Sequence, residues 1–203
     1  MLLICPLQPL LHCLLHLAGP FWPRLLVGSG RCDPVPPDAG QGGPLDLPAE
    51  LARCTLFQGL PSDGVRRLRM LGRPRTFAVG SLLLRQGDPS DCLHVIVTGR
   101  VRAELSHPDR PAPVILAELG PGEVVGDLGL LDGRPRAATA RALDLTETLY
   151  LAYPAVGLAL LRHPAAGARL ATSVRRRRRV ADWIIDQALL DGGRGGPHPF
   201  ATC

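Results

Sequence analysis

Residues 126–139 read Gly126-Asp127-Leu128-Gly129-Leu130-Leu131-Asp132-Gly133-Arg134-Pro135-Arg136-Ala137-Ala138-Thr139. Gly126 permits a positive φ or a close backbone approach. Residues 128–131 are long enough for one helical turn, whose free N–H groups and local dipole favour an anion. Asp132-Gly133 ends that turn, and Pro135 drives Arg134 out of the α region. Arg136 follows at once, and an arginine fork beside a helix N-terminus suits a phosphate. Asp127 is the odd member, because a carboxylate repels phosphate. It fits as an acceptor for neutral hydroxyls, such as those of a ribose. The blander reading is a turn between two strands with a surface arginine.

This stretch resembles the phosphate-binding cassette of cyclic nucleotide-binding domains. Such domains occur in catabolite-activator regulators, protein kinase A regulatory subunits, gated channels and some patatin-like lipases. The family pattern is Gly-Glu-Leu-Ala-Leu, a few residues, then Pro-Arg-Ala-Ala-Thr. Gly126, Leu128, Leu130 and Pro135 through Thr139 match, as does the nine-residue step from acid to arginine. Asp127 stands where the family has Glu, and Gly129 where it usually has Ala.

The resemblance implies a β-roll of about eight strands with helices at both ends, a mainly β fold with flanking helices. It implies that Asp127 holds the ribose 2′-hydroxyl. Arg136, the N–H groups of Gly126, Asp127, Leu128 and Gly129, and that of Ala137 beside Ala138 would hold the cyclic phosphate. In the family a Thr after the arginine favours cyclic GMP. Ala137 cannot donate, so cyclic AMP is expected ahead of cyclic GMP. The family lids the base with its last helix, which nominates Trp183 or Ile184, with core packing as the alternative for Trp183. Asp127 is one methylene short of Glu, about 1.5 Å. Weak binding is therefore expected, and a structural module that has lost its ligand is the alternative. Gly129 is read as backbone freedom that eases a shift of the loop. Arg136→Ala is expected to abolish binding and leave the fold intact.

Composition supports this frame. Of 203 residues 4% are aromatic, so aliphatic side chains must build the core, and 23 Gly with 21 Pro imply many turns. The six cysteines, at 5, 13, 32, 54, 92 and 203, show no C-x-x-C spacing. Neither a metal site nor a cofactor is expected, and the thiols are read as reduced. Residues 1–19 are apolar but lack an early basic residue and are broken by Pro6 and Pro9. They make a poor signal or membrane span. Residues 1–47 are read as an extension whose second half is a Gly/Pro-rich linker, residues 48–190 as the domain, and 191–203 as a disordered tail.

Within the domain, residues 49–54 and 62–71 are expected as short helices. Strands are expected at 75–79, 81–85, 92–98, 101–105 and 114–119, punctuated by turns at Gly80, Gly87, Gly99 and Gly122. Leu93, Val95 and Val97 share one face. Residues 139–142 and 146–152 read as a final hairpin. Leu82, Val95 and Val125 are read as pocket walls by alternation. A helix at 155–162 should break at His163-Pro164, and a longer one should run from 165 to about 190, with Leu170, Val174, Val180 and Trp183 on its apolar positions.

Arg175 to Arg179 are five consecutive arginines in that last helix. They cover its whole girth, so at least one must face any packed side. The run is read as a solvated stretch. Contact with nucleic acid or an acidic lipid surface is the alternative. Expected partners are the cyclic nucleotide and a second copy paired through the last helix, with nucleic acid weakly indicated and membrane not. No nucleophile elbow, metal cluster or triad is visible, so a non-catalytic cytoplasmic regulator is expected. The alternatives are a catabolite-activator-type regulator without its own helix-turn-helix, for which no room follows the last helix, and a regulatory piece of a larger enzyme.

Overall fold

The computed structural model describes residues 51, 53–108 and 110–190. The proposed extension and tail, with Cys5, Cys13, Cys32 and Cys203, lie outside the described residues. A short 3₁₀ turn at Thr55–Phe57 precedes helix α1, Ser62–Leu71. Eight strands follow: β1 Arg73–Phe77, β2 Leu82–Leu84, β3 Cys92–Thr98, β4 Val101–Leu105, β5 Val114–Leu119, β6 Val124–Val125, β7 Thr139–Ala142 and β8 Thr146–Ala152. Helix α2 is Tyr153–Leu160, with Pro154 in its first turn, and helix α3 is Pro164–Leu190. Pro164 thus breaks α2 and opens α3, because a missing N–H costs nothing in a first turn.

The strands form two antiparallel four-stranded sheets, ordered β1-β8-β3-β6 and β2-β7-β4-β5. This is the β-roll that the cassette implied. Strand β3 shows why. Its β-branched residues alternate between two cores, each suited to a pleated, half-buried surface. Leu93, Val95 and Val97 join Leu149, Leu151, Leu68, Val156, Leu170 and Val174 in the larger core, between the first sheet and the helices. Ile96 points the other way and meets Val101, Val125 and Ala140 between the two sheets. Each fully buried aliphatic side chain contributes about 1.5–3 kcal/mol relative to exposure.

Three expectations are corrected. Residues 139–142 and 146–152 do not pair with each other. β7 pairs with β2 and β4, whereas β8 pairs with β1 and β3. The chain crosses between sheets at residues 143–145, and periodicity along a strand carries no record of which sheet it joins. Gly99 makes the neighbouring β3–β4 turn with φ +81°, and a Cβ there would meet the Leu145 carbonyl oxygen at 2.5 Å. Val95 does not wall the roll interior but lies in the helix-side core, while Val125 does face inward. Strand β1 begins two residues earlier than expected, at Arg73, because its register is fixed by β8, with Arg73 opposite Tyr150. Among the described residues no helix is long and apolar enough to cross a membrane.

Candidate nucleotide-binding site

Strand β6 pairs with β3 through His94↔Val125 and Val95↔Val124. The chain therefore leaves the first sheet at Gly126, beside Cys92. Gly126 has φ +89°, and a Cβ there would meet Arg136 Nη1 and Leu84 Cδ1, each at 2.8 Å. Only glycine takes that conformation in that space at low cost. Residues 128–132 then make one irregular helical turn, with Leu130 N–H bonded to the Asp127 carbonyl at 3.0 Å and Gly133 N–H to that of Gly129 at 2.9 Å. After Pro135 the chain is stitched to the turn after β2. Arg136 N–H donates to the Asp88 carbonyl at 2.8 Å, and Gly87 N–H to that of Arg136 at 2.9 Å. Thr139 Oγ1 accepts from Gln86 N–H at 3.1 Å.

Both charged members of this loop are buried. Arg136 is 7% exposed and Asp127 2%. Arg136 Nη1 donates to the carbonyls of Cys92 at 2.6 Å and Gly126 at 3.0 Å, the latter being the residue before Asp127. Its Nη2 lies 3.2 Å from Asp91 Oδ1 and 3.0 Å from Cys92 Sγ. Tyr153, the first residue of α2, donates its hydroxyl to the Gly126 carbonyl at 2.5 Å. Burial pushes the Cys92 thiol up to about 12, against the opposing Arg136 charge. Burial likewise raises the Tyr153 hydroxyl. Arg136 is thus a structural hub as well as a cation, and its removal would take a charged donor from the Cys92 and Gly126 carbonyls and a cation from Asp91. These bonds set a stability cost against the expectation that Arg136→Ala spares the fold.

Asp127 is held by the last helix. Arg177 Nη1 lies 3.1 Å from Asp127 Oδ2, and Arg177 Nη2 donates to the Val124 carbonyl at 2.9 Å. Burial raises the Asp127 carboxyl above its ordinary value, and the Arg177 charge opposes that rise. Arg178 Nη2 lies 4.0 Å from Asp132 Oδ2. The arginine run is therefore not simply solvated: Arg175, Arg176 and Arg179 are exposed, but Arg177 and Arg178 are half-buried against the cassette.

Gly129 also differs from expectation. Its φ is not positive, so no left-handed conformation calls for glycine here. A Cβ at Gly129 would collide with the Ser90 side chain and lie 2.9 Å from the Arg134 carbonyl oxygen. Close approach is what excludes alanine here. Leu128, Ala137 and Ala138 are half-buried around the loop. Trp183 is 57% exposed on α3 and does not take part in the core. Sequence reasoning missed Asp91, Cys92 and Tyr153, which come from outside the cassette. Arg177 had one signal, the girth argument for the arginine run.

The sequence profile described as the cyclic nucleotide-binding domain matches residues 74–162. The cyclic AMP receptor protein of Thermus thermophilus is 36% identical over 140 residues, 68% of this chain and 64% of that protein. The crystal structure of the N-terminal domain of a transcriptional regulator from Streptomyces coelicolor is similar at 34% identity and TM-score 0.55, covering 64% of this chain and 92% of that one. The Thermus thermophilus catabolite activator protein structure is similar at 33% identity and TM-score 0.57, covering 66% and 62%. The chain belongs to the cyclic nucleotide-binding domain family. It spans less than two thirds of the length of the curated relatives it matches.

Proposed function

We propose that this domain binds cyclic AMP as a sensory module and passes the event on through α3, with no catalysis of its own. The observation that carries this reading is the burial of Asp127 and Arg136 on one loop, with Arg136 bonded to the carbonyl of Gly126. Arg136, the N–H groups of residues 126–129 and that of Ala137 would take the cyclic phosphate. Asp127 would accept from the ribose 2′-hydroxyl, with Leu128 and Ala138 shaping the loop. The methyl of Ala137 offers no hydroxyl to guanine, which favours cyclic AMP over cyclic GMP. Trp183 would cover the base as α3 closes.

The same Asp127 carboxylate serves Arg177 of α3 and, in this reading, the ribose. Ligand occupancy and helix docking are then linked, each changing the free energy of the other. A cytoplasmic regulator fits this arrangement, and the likeness to a cyclic AMP receptor protein supports it. The exposed apolar residues Val180 and Trp183 on α3 suit a homodimer contact.

Calorimetric titration of the parent and of Asp127→Glu with cyclic AMP and cyclic GMP tests the reading. The parent should bind cyclic AMP more tightly than cyclic GMP. The longer carboxylate should tighten cyclic AMP binding about tenfold, or roughly 1.4 kcal/mol. Equal or weaker binding by the variant would remove Asp127 from the ribose. No binding by either protein would make Arg136–Asp91 and Asp127–Arg177 structural pairs. That second reading is favoured by the ionic partners both side chains already have.

A further inference from the structure

A cleft lies between the cassette turn and α3. Its volume is about 380 Å³, within the range of small-ligand sites. Leu128, Leu131 and Val174 give it apolar walls, and Arg175, Arg178 and Arg179 line it with three guanidinium groups. The one carboxylate in the lining is Asp132, so positive charge prevails three to one. Asp132 is already engaged by Arg134, whose Nε lies 3.4 Å away. The helical spacing explains the cluster: residues 174, 175, 178 and 179 share one face of α3, while Arg176 and Arg177 turn elsewhere.

Arg178 is the informative member. Its side chain is 17% exposed, yet its Nη1 and Nε are shut off from water and donate no hydrogen bond. Two carboxylates pair with it at long range, Asp182 Oδ1 3.4 Å from Nε and Asp132 Oδ2 4.0 Å from Nη2, without the geometry of a hydrogen bond at Nε. A guanidinium N–H without a hydrogen-bond acceptor is costly, and a turn of the Arg178 side chain toward an anion in the cleft would give it one.

We propose that this cleft is a second anion site, distinct from the Arg136 site, that takes a small phosphate-bearing molecule. Two or more guanidinium forks match the oxygens of a phosphate or pyrophosphate, and the leucine and valine walls accept an apolar or flat body attached to it. A bound anion would tie α3 to the cassette turn through Arg178.

The test is calorimetric titration of the full chain with inorganic pyrophosphate at constant ionic strength, repeated with saturating cyclic AMP. The parent should bind pyrophosphate saturably, with or without the nucleotide. Arg178→Gln should weaken binding about tenfold. The exposed pair Arg175→Gln with Arg179→Gln should weaken it similarly without disturbing the fold, which covers the case in which Arg178→Gln folds poorly. Arg176→Gln, an equal charge change outside the cleft, should leave it unchanged. The proposal is overturned by any of four results: no saturable binding; equal weakening by Arg176→Gln; displacement of pyrophosphate by cyclic AMP, which would place the anion on Arg136; or binding of duplex DNA but not pyrophosphate. Absence of cyclic AMP binding would not touch it, so the two sites are judged separately.

Discussion

Arg136 does two jobs that pull in different directions. To hold a phosphate it must offer N–H groups outward, yet it already donates to Cys92 and Gly126 carbonyls and pairs with Asp91. Arg136→Ala should therefore abolish nucleotide binding and also cost about 2–4 kcal/mol of stability, because the buried Cys92 carbonyl loses a charged donor and Asp91 loses its cation. Urea unfolding measures this, and a parent-like midpoint would show that the hub is not structural. Gly129→Ala makes a separate claim. Its added methyl meets the Ser90 side chain and the Arg134 carbonyl oxygen, and overpacking of this kind costs about 1–3 kcal/mol. Adding Ser90→Gly should recover part of the loss. If the double variant is no more stable than the single one, the Ser90 contact is not the cause.

Helix α3 is where a repetitive stretch acquires different roles by direction alone. Successive residues turn by about 100°, so five adjacent arginines cannot share an environment. Arg177 reaches Asp127 and the Val124 carbonyl, Arg178 faces the cleft beside the cassette turn, and Arg176 meets solvent. Arg177→Gln removes the ion pair that joins α3 to the cassette. Amide exchange of α3 around residues 174–182 should then quicken, whereas Arg176→Gln should leave it unchanged. Identical exchange in both variants would mean that the Arg177 ion pair does not hold the helix.

The roll as a body also carries a pH signature. His94, on β3, is 4% exposed, with its Nδ1 3.0 Å from Thr148 Oγ1 and its ring edge-on to Phe77 and Tyr150. Burial first, and then the charges of Arg136 and Arg75, lower its titration to about 3 from 6.5. Between those values the unfolded chain binds a proton that the folded one refuses. His94 therefore makes stability fall as pH drops from 6.5 towards 3, by up to about 1.4 kcal/mol per pH unit. Asp127, whose carboxyl is raised, acts with the opposite sign, its contribution being lost as pH rises through its folded value. Chemical denaturation across this range should show a flatter profile for His94→Gln than for the parent. Parallel profiles would assign the acid loss to other groups.

The cassette spacing, the turn glycines and the alternation in β3 were local patterns, and they placed the strands, the loop and its two charged residues. Each depends only on backbone preference and on which face of a strand is apolar, properties that neighbouring residues carry with them. The sheet assignment of β7 and β8, the inward partners of Arg136 and the grip of Arg177 on Asp127 depend on residues between 10 and 77 positions apart. No local pattern encodes such meetings, because they arise when the two sheets and α3 close around their shared cores. Gly129 shows the boundary most clearly: its identity was plain in the chain, but the reason for it was Ser90, brought against it only by the fold.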